Sequence, residues 1–118
     1  MLTCARIRYL IAIRELAPQD GGIRMTELSK ALGITKPSVH KMLNELSELG
    51  LVHFAPRGRI HLSQDGRALA SQCAQTHQRI TLWLMHALAI EESLASAGAL
   101  ALMDCLPAAS LTHIPKIA

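Results

Sequence analysis

Apolar residues recur at spacings of three and four through most of this chain, the period of helices that bury one face. Ile7, Leu10, Ile11, Ile13, Leu16 and Ala17, interrupted by charged residues, predict an amphipathic helix from Ile7 to Ala17. Pro18 and the run Gln19-Asp20-Gly21-Gly22 end it in a turn. Ile23-Arg24-Met25 is long enough only for a stub of strand or an extended link. Thr26 has the side chain of an N-cap and opens a short helix to Leu32 that carries Leu28, Ala31 and Leu32 on one face. Gly33 stops that helix, and Thr35 and Pro37 start the next, where a missing N–H costs nothing. Val39, Met42, Leu43, Leu46 and Leu49 repeat at helical spacing up to Gly50. Two helices joined through Gly33-Ile34 have the spacing of a helix-turn-helix.

After Gly50 the period shortens. Leu51-Val52-His53-Phe54 and Arg59-Ile60-His61-Leu62 read as two strands, and Ala55-Pro56-Arg57-Gly58 as the basic turn between them. This is a two-stranded wing, and two strands alone are marginal, so the hairpin must lean on the helices. Ser63 caps a long helix whose face of Leu69, Cys73, Thr76, Ile80, Leu84 and Leu88 runs to about Ala89. A second helix from Glu91 to about Cys105 is nearly all Ala and Leu, and burial against a partner subunit is the simplest way to keep it from water. Pro107 ends it, and the tail to Ala118, with Pro115, has no clear element. The fold class expected is therefore mainly α: a winged helix-turn-helix with a two-stranded wing, followed by a long helix and a C-terminal dimerisation helix. The division expected is a winged-helix DNA-binding domain over residues 1–70 and a helical dimerisation region over 71–118.

Composition narrows the class further. Half of the 118 residues are apolar, so disorder is not a serious reading, and the aromatic share of 3% leaves Leu, Ile, Ala and Met to build the core. No apolar run approaches the roughly 18 residues of a membrane span, and no basic start with a short apolar run and small-residue cleavage site is present. The expectation is a soluble, cytoplasmic protein without a membrane partner. Cys4, Cys73 and Cys105 are odd in number and widely spaced, which argues for buried free thiols rather than a disulfide framework. The net charge of +3 is uneven: residues 1–67 hold ten Lys or Arg against six Asp or Glu, and residues 68–118 hold two against three. The N-terminal part is the one suited to a polyanion. No Gly-rich phosphate loop follows a strand and no HExxH is present, so an enzyme is not expected.

The helix from Lys36 to Leu49 offers a polar face. Thr35, Lys36, Ser38, His40 and Lys41, with Asn44 further along, combine short hydrogen-bonding side chains with basic groups, the mixture that reads base edges and holds phosphates in a major groove. Arg57 and Arg59 flank Gly58 at the wing tip and can enter a minor groove or clamp the backbone. The plain alternative is a solvated helix face and a solubilising turn. The partner expected is double-stranded DNA.

The residues from Arg6 to Pro107 resemble the DtxR/MntR family of iron- and manganese-dependent repressors. The resemblance is carried by Tyr9-Leu10 with Ile13 and Leu16, by Thr26-Glu27-Leu28-Ser29-Lys30-Ala31-Leu32, and by Pro37-Ser38-Val39 leading to Met42 and Leu46. It continues through Gly50-Leu51-Val52, Ile60-His61-Leu62-Ser63-Gln64-Asp65-Gly66-Arg67-Ala68-Leu69-Ala70, and His77. The earlier pieces also suit MarR-like winged-helix regulators; the later run with His77 favours the metal-dependent family. The resemblance implies a homodimer in which metal ligands from the first helix, from His77 and from the last helix favour the DNA-binding form. Here the first-helix ligand positions fall on Ile7 or Ile11 and on Arg8, and the last-helix positions on Leu100, Met103 and Asp104. His77 is retained and Asp104 has the right chemistry, but Arg8 stands where a carboxylate belongs and repels a dication. Two readings follow: His77, Met103, Asp104 and Cys105 form an altered site for manganese, iron or a softer ion, or these residues are packing and no metal binds. The function expected is a homodimeric DNA-binding repressor with a degraded or altered metal site. A MarR-like, metal-independent regulator and a winged-helix protein-interaction adaptor are the alternatives.

Overall fold

The computed structural model describes residues 3–17 and 21–117. The turn expected at Pro18, Gln19 and Asp20 lies outside them. Helix α1 spans Cys4–Leu16 and starts a turn earlier than the apolar pattern suggests, because Thr3 accepts a hydrogen bond from the Arg6 N–H and caps it. Ile7, Tyr9, Leu10 and Ile13 are its buried residues, while Leu16, placed on the apolar face by its spacing, is exposed. Ile23–Arg24 forms strand β1, followed directly by α2, Met25–Leu32. The N-cap of α2 is Arg24 rather than Thr26, since the helix begins at Met25 and places Thr26 inside its first turn. Gly33, left-handed at φ 66°, closes α2. Helix α3 covers Lys36–Glu48 and buries Val39, Leu43 and Leu46 against α2 and the sheet. Leu49, last in the apolar repeat, falls at the C-cap and is exposed.

Strands β2, Val52–Phe54, and β3, Arg59–Leu62, form the wing, joined by a 3-10 turn at Pro56–Gly58. The sheet has three strands in the order β1-β3-β2, all antiparallel, because Ile23 and Arg24 pair with Ile60 and Arg59. The short stub thus gives the hairpin the extra strand that a lone two-stranded ribbon lacks. Ile23, Val52, Ile60 and Leu62 face inward with α1, α2 and α3 and form one core with Leu10, Ile13, Leu28, Leu43 and Leu46. Each such side chain, fully withdrawn from water, contributes about 1.5–3 kcal/mol.

The long helix α4 is Gln64–Leu88, with Ser63 accepting from the Gly66 N–H at 2.9 Å as its cap. It joins the first core to a second one, in which Ile80 and Leu84 pack with Ala95 and Ala99 of α5, Glu92–Cys105. The tail is not structureless: residues Ala108–Leu111 form the single-turn helix α6, and Leu111 is buried in the second core. Pro107 does end α5, but a proline also suits the start of a helix, a role the expectation left out. Of the three thiols only Cys73 is buried; Cys4 is half-buried and Cys105 exposed. Among the described residues no helix is long and apolar enough to cross a membrane.

Candidate nucleic-acid interface

The apolar stripe of α3 decides what its other side shows. With Val39, Leu43 and Leu46 turned into the core, Lys36, Ser38, His40, Lys41 and Asn44 are all exposed. Thr35 occupies the N-cap, but its side chain leaves the backbone N–H groups of the first turn uncapped. Its hydroxyl donates instead to the Ser38 hydroxyl at 3.0 Å. The start of α3 therefore keeps free N–H groups beside Lys36, the arrangement that attracts a phosphate. One turn on, the Asn44 amide nitrogen lies 3.2 Å from His40 Nδ1, and the two side chains orient each other. The turn before α3 is fixed from behind, where the Ser29 hydroxyl donates to the Ile34 carbonyl.

The two wing arginines separate. Arg57 sits at the tip, exposed, at φ 71°, beside Gly58 at φ 75°. Arg59 is half-buried, and its guanidinium Nη1 donates to the Gly21 carbonyl at 3.3 Å. Arg24 faces Arg59 across the β1–β3 pair, exposed. The sequence pattern does not single out Arg24; the only signal for it is a cation in a short extended stub. Arg6 lies 4.0 Å from Glu45 and ties α1 to α3.

The residues named for a metal do not come together. His77 lines an open cleft of about 860 Å³ between α1, α4 and α5 with Arg8, Ile11, Ser96 and Leu100. Its Nε2 lies 3.1 Å from both the carbonyl and the hydroxyl of Ser96. An imidazole that donates Nε2–H to a carbonyl has no lone pair there for a metal. Met103 and Asp104 line a different, mostly apolar cleft of about 520 Å³. One Asp104 oxygen accepts from the Cys4 N–H at 2.6 Å, at the start of α1. Cys105 is exposed at the end of α5. Among the described residues no group of three or more His, Cys, Asp and Glu is placed to hold a metal ion. The donor set named from the sequence is split between two clefts, and the His77 cleft is lined by Arg8 and Arg14 as well as Glu15 and Glu92, so these residues do not fit a single divalent cation.

Leucines at the far end are left in water. Leu88 and Leu94 are 61% and 59% exposed, and Leu82 is also exposed. They lie on α4 and α5, away from the wing.

Residues 12–56 match the family described as the IclR helix-turn-helix domain. The transcriptional regulator MntR of Escherichia coli is 30% identical over 77 residues, which cover 65% of this chain and 50% of that protein. An uncharacterized HTH-type transcriptional regulator of Methanocaldococcus jannaschii, MJ0568, is 33% identical over 84 residues, covering 71% of this chain and 67% of that protein. The solved structure of the manganese regulator SloR superposes with a TM-score of 0.81 at 22% identity, over 97% of this chain and 52% of that one. This chain thus spans about half the length of the MntR relatives it matches. The helix-turn-helix, the three-stranded winged sheet and the long helix carrying His77 agree with these likenesses, and the chain belongs to the DtxR/MntR family of winged-helix transcriptional regulators.

Proposed function

We propose that the chain is a homodimeric DNA-binding repressor, cytoplasmic, whose α3 enters the major groove of each half of a roughly palindromic operator. The observation that carries this is the exposed polar face of α3, with Lys36, Ser38, His40, Lys41 and Asn44 displayed beyond an uncapped helix start at Thr35. Arg57 at the wing tip is the natural contact to the neighbouring backbone or minor groove, and Arg59 acts from behind it. Residues 1–70 form the DNA-binding part. Residues 71–118 form the dimerising part, with the exposed Leu82, Leu88 and Leu94 as its seam.

Metal control is not carried over from the manganese regulator SloR. Arg8 in the cleft and the Ser96 contacts of His77 favour a regulator whose ancestral sensor has degraded, closer in behaviour to a metal-independent MarR-like protein.

The test is binding to genomic DNA fragments at moderate salt, first with chelator and then with manganese, iron(II), zinc or cobalt. Specific binding indifferent to metal is expected. Neutralising Lys36, Lys41, Arg57 and Arg59 together should abolish it, and the slope of log affinity against log salt should fall by about 0.9 for each phosphate left without its cation. A metal-dependent gain would overturn the degraded-sensor reading. Wild-type affinity in the fourfold variant would overturn the DNA interface and leave the protein-interaction adaptor.

A further inference from the structure

A further cationic cleft, lined by no described residue of α3, shares Arg14 with the His77 cleft. Arg14 in the last turn of α1, His61 on β3 and Arg67 in the first turns of α4 line one cleft of about 370 Å³, with Ile13 and Leu62 among its walls. No carboxylate lines it among the described residues. Neither Arg14 nor Arg67 has a side-chain hydrogen bond or ion pair among them. Three separate elements thus bring basic side chains to the walls of one cleft, and among the described residues none of those walls carries a carboxylate, an arrangement that favours an anion.

His61 is held in position. Gly22 lies so close that a Cβ there would fall 2.6 Å from His61 Nε2, so the imidazole rests directly on the Gly22 backbone. On its other side the ring stacks on His53, with centroids 5.3 Å apart and planes 6° from parallel. His53 and His61 are a cross-strand pair, and Arg24 and Arg59 are the next pair on the same side of the sheet. The potential around the cleft is therefore positive from the sheet as well as from its walls. Two guanidiniums and an imidazole contributed to one cleft by different elements suit an anion with three or more acceptor oxygens better than a planar carboxylate, which one arginine saturates. The volume is at the lower end of the range for small-ligand sites, which suits a phosphate group with the rest of its molecule in the open mouth.

We propose that Arg14, His61 and Arg67 form a phosphate-binding site, filled either by a small free phosphate compound or by a backbone phosphate of bound DNA. This does not depend on the assignment of α3 as the recognition helix. The full chain, without DNA, is titrated with inorganic phosphate and with pyrophosphate, and the backbone resonances of Gly22, His61 and Arg67 are followed by NMR, with acetate as the carboxylate control. Saturable shifts confined to this cleft are expected, weaker with acetate. Arg14→Gln and Arg67→Gln should each weaken phosphate binding about tenfold or more, and Arg67→Lys should restore part of it, which separates charge from folding. The same variants are then tested on DNA. A reduced salt slope identifies a DNA phosphate as the occupant; an unchanged slope with abolished phosphate binding identifies a free phosphate compound. No saturable shift with either probe together with an unchanged DNA salt slope would overturn the site, as would glutamine variants that bind phosphate like the wild type.

Discussion

Gly66→Ala should be strongly destabilising although it places alanine, the best helix former, in a helix. Gly66 is in the first turn of α4 and fully packed against the wing, where a Cβ would lie 1.9 Å from the Leu51 carbonyl oxygen. The obstacle is backbone, which cannot rotate away, so the start of α4 must move by about 1 Å, an overpacking cost of about 1–3 kcal/mol. That movement also strains the Ser63 N–H to Leu51 carbonyl bond, 2.9 Å long, and the Ser63 cap on the Gly66 N–H, together worth about 1–3 kcal/mol. The helical gain from glycine to alanine offsets about 1 kcal/mol. The net loss is about 1–5 kcal/mol, a fall in Tm of about 4 °C or more for a chain of this size. Gly98→Ala is the control, since its Cβ would meet only the end of the flexible Leu84 side chain, at 3.2 Å, and the helical gain should leave it near neutral. Thermal and urea unfolding followed by circular dichroism measure both. Equal melting of the two variants, or a Gly66→Ala variant as stable as the wild type, would refute the argument that α4 and the wing meet backbone to backbone.

Leu43→Ala, at a position with no exposure in the core behind α3, should cost about 2–5 kcal/mol in urea unfolding and weaken DNA binding only through impaired folding. Alkylation by iodoacetamide, read by mass spectrometry, should label Cys105 first and Cys73 last, because burial pushes the Cys73 thiol above its usual range and hides it; equal labelling would contradict that packing. Burial also raises Tyr9, against a smaller lowering by Arg8. Both groups hold their protons more tightly folded than unfolded, so their stabilisation is complete below the unfolded values of 9.0 and 10.0 and is lost as pH rises through the folded ones. The urea midpoint should therefore fall above about pH 9, and a rising midpoint there would show that neither burial matters.

Much of this protein was legible in one dimension because its helices are amphipathic and its breaks are chemical. The spacing of Val39, Leu43 and Leu46 fixed which side of α3 is buried, and by subtraction which residues it shows. Ser63 named its own cap, and Gly33 its turn. Hydrophobic periodicity and capping are local, and local physics can be read along the chain. Position relative to distant segments cannot. Ile23-Arg24 became a strand only because β3 offered it a ladder, Thr26 lost its cap because β1 runs straight into α2, and α6 formed because Leu111 found the second core. Tertiary packing also separated His77 from Asp104, paired each with a backbone group, and gathered Arg14, His61 and Arg67 from three elements into one cleft. The sequence by itself determined the order of α1–α5 with the two wing strands, and the exposed face of α3; the folded structure decided which charged and polar groups share a site, because side chains meet across space by packing and not by their separation in the chain.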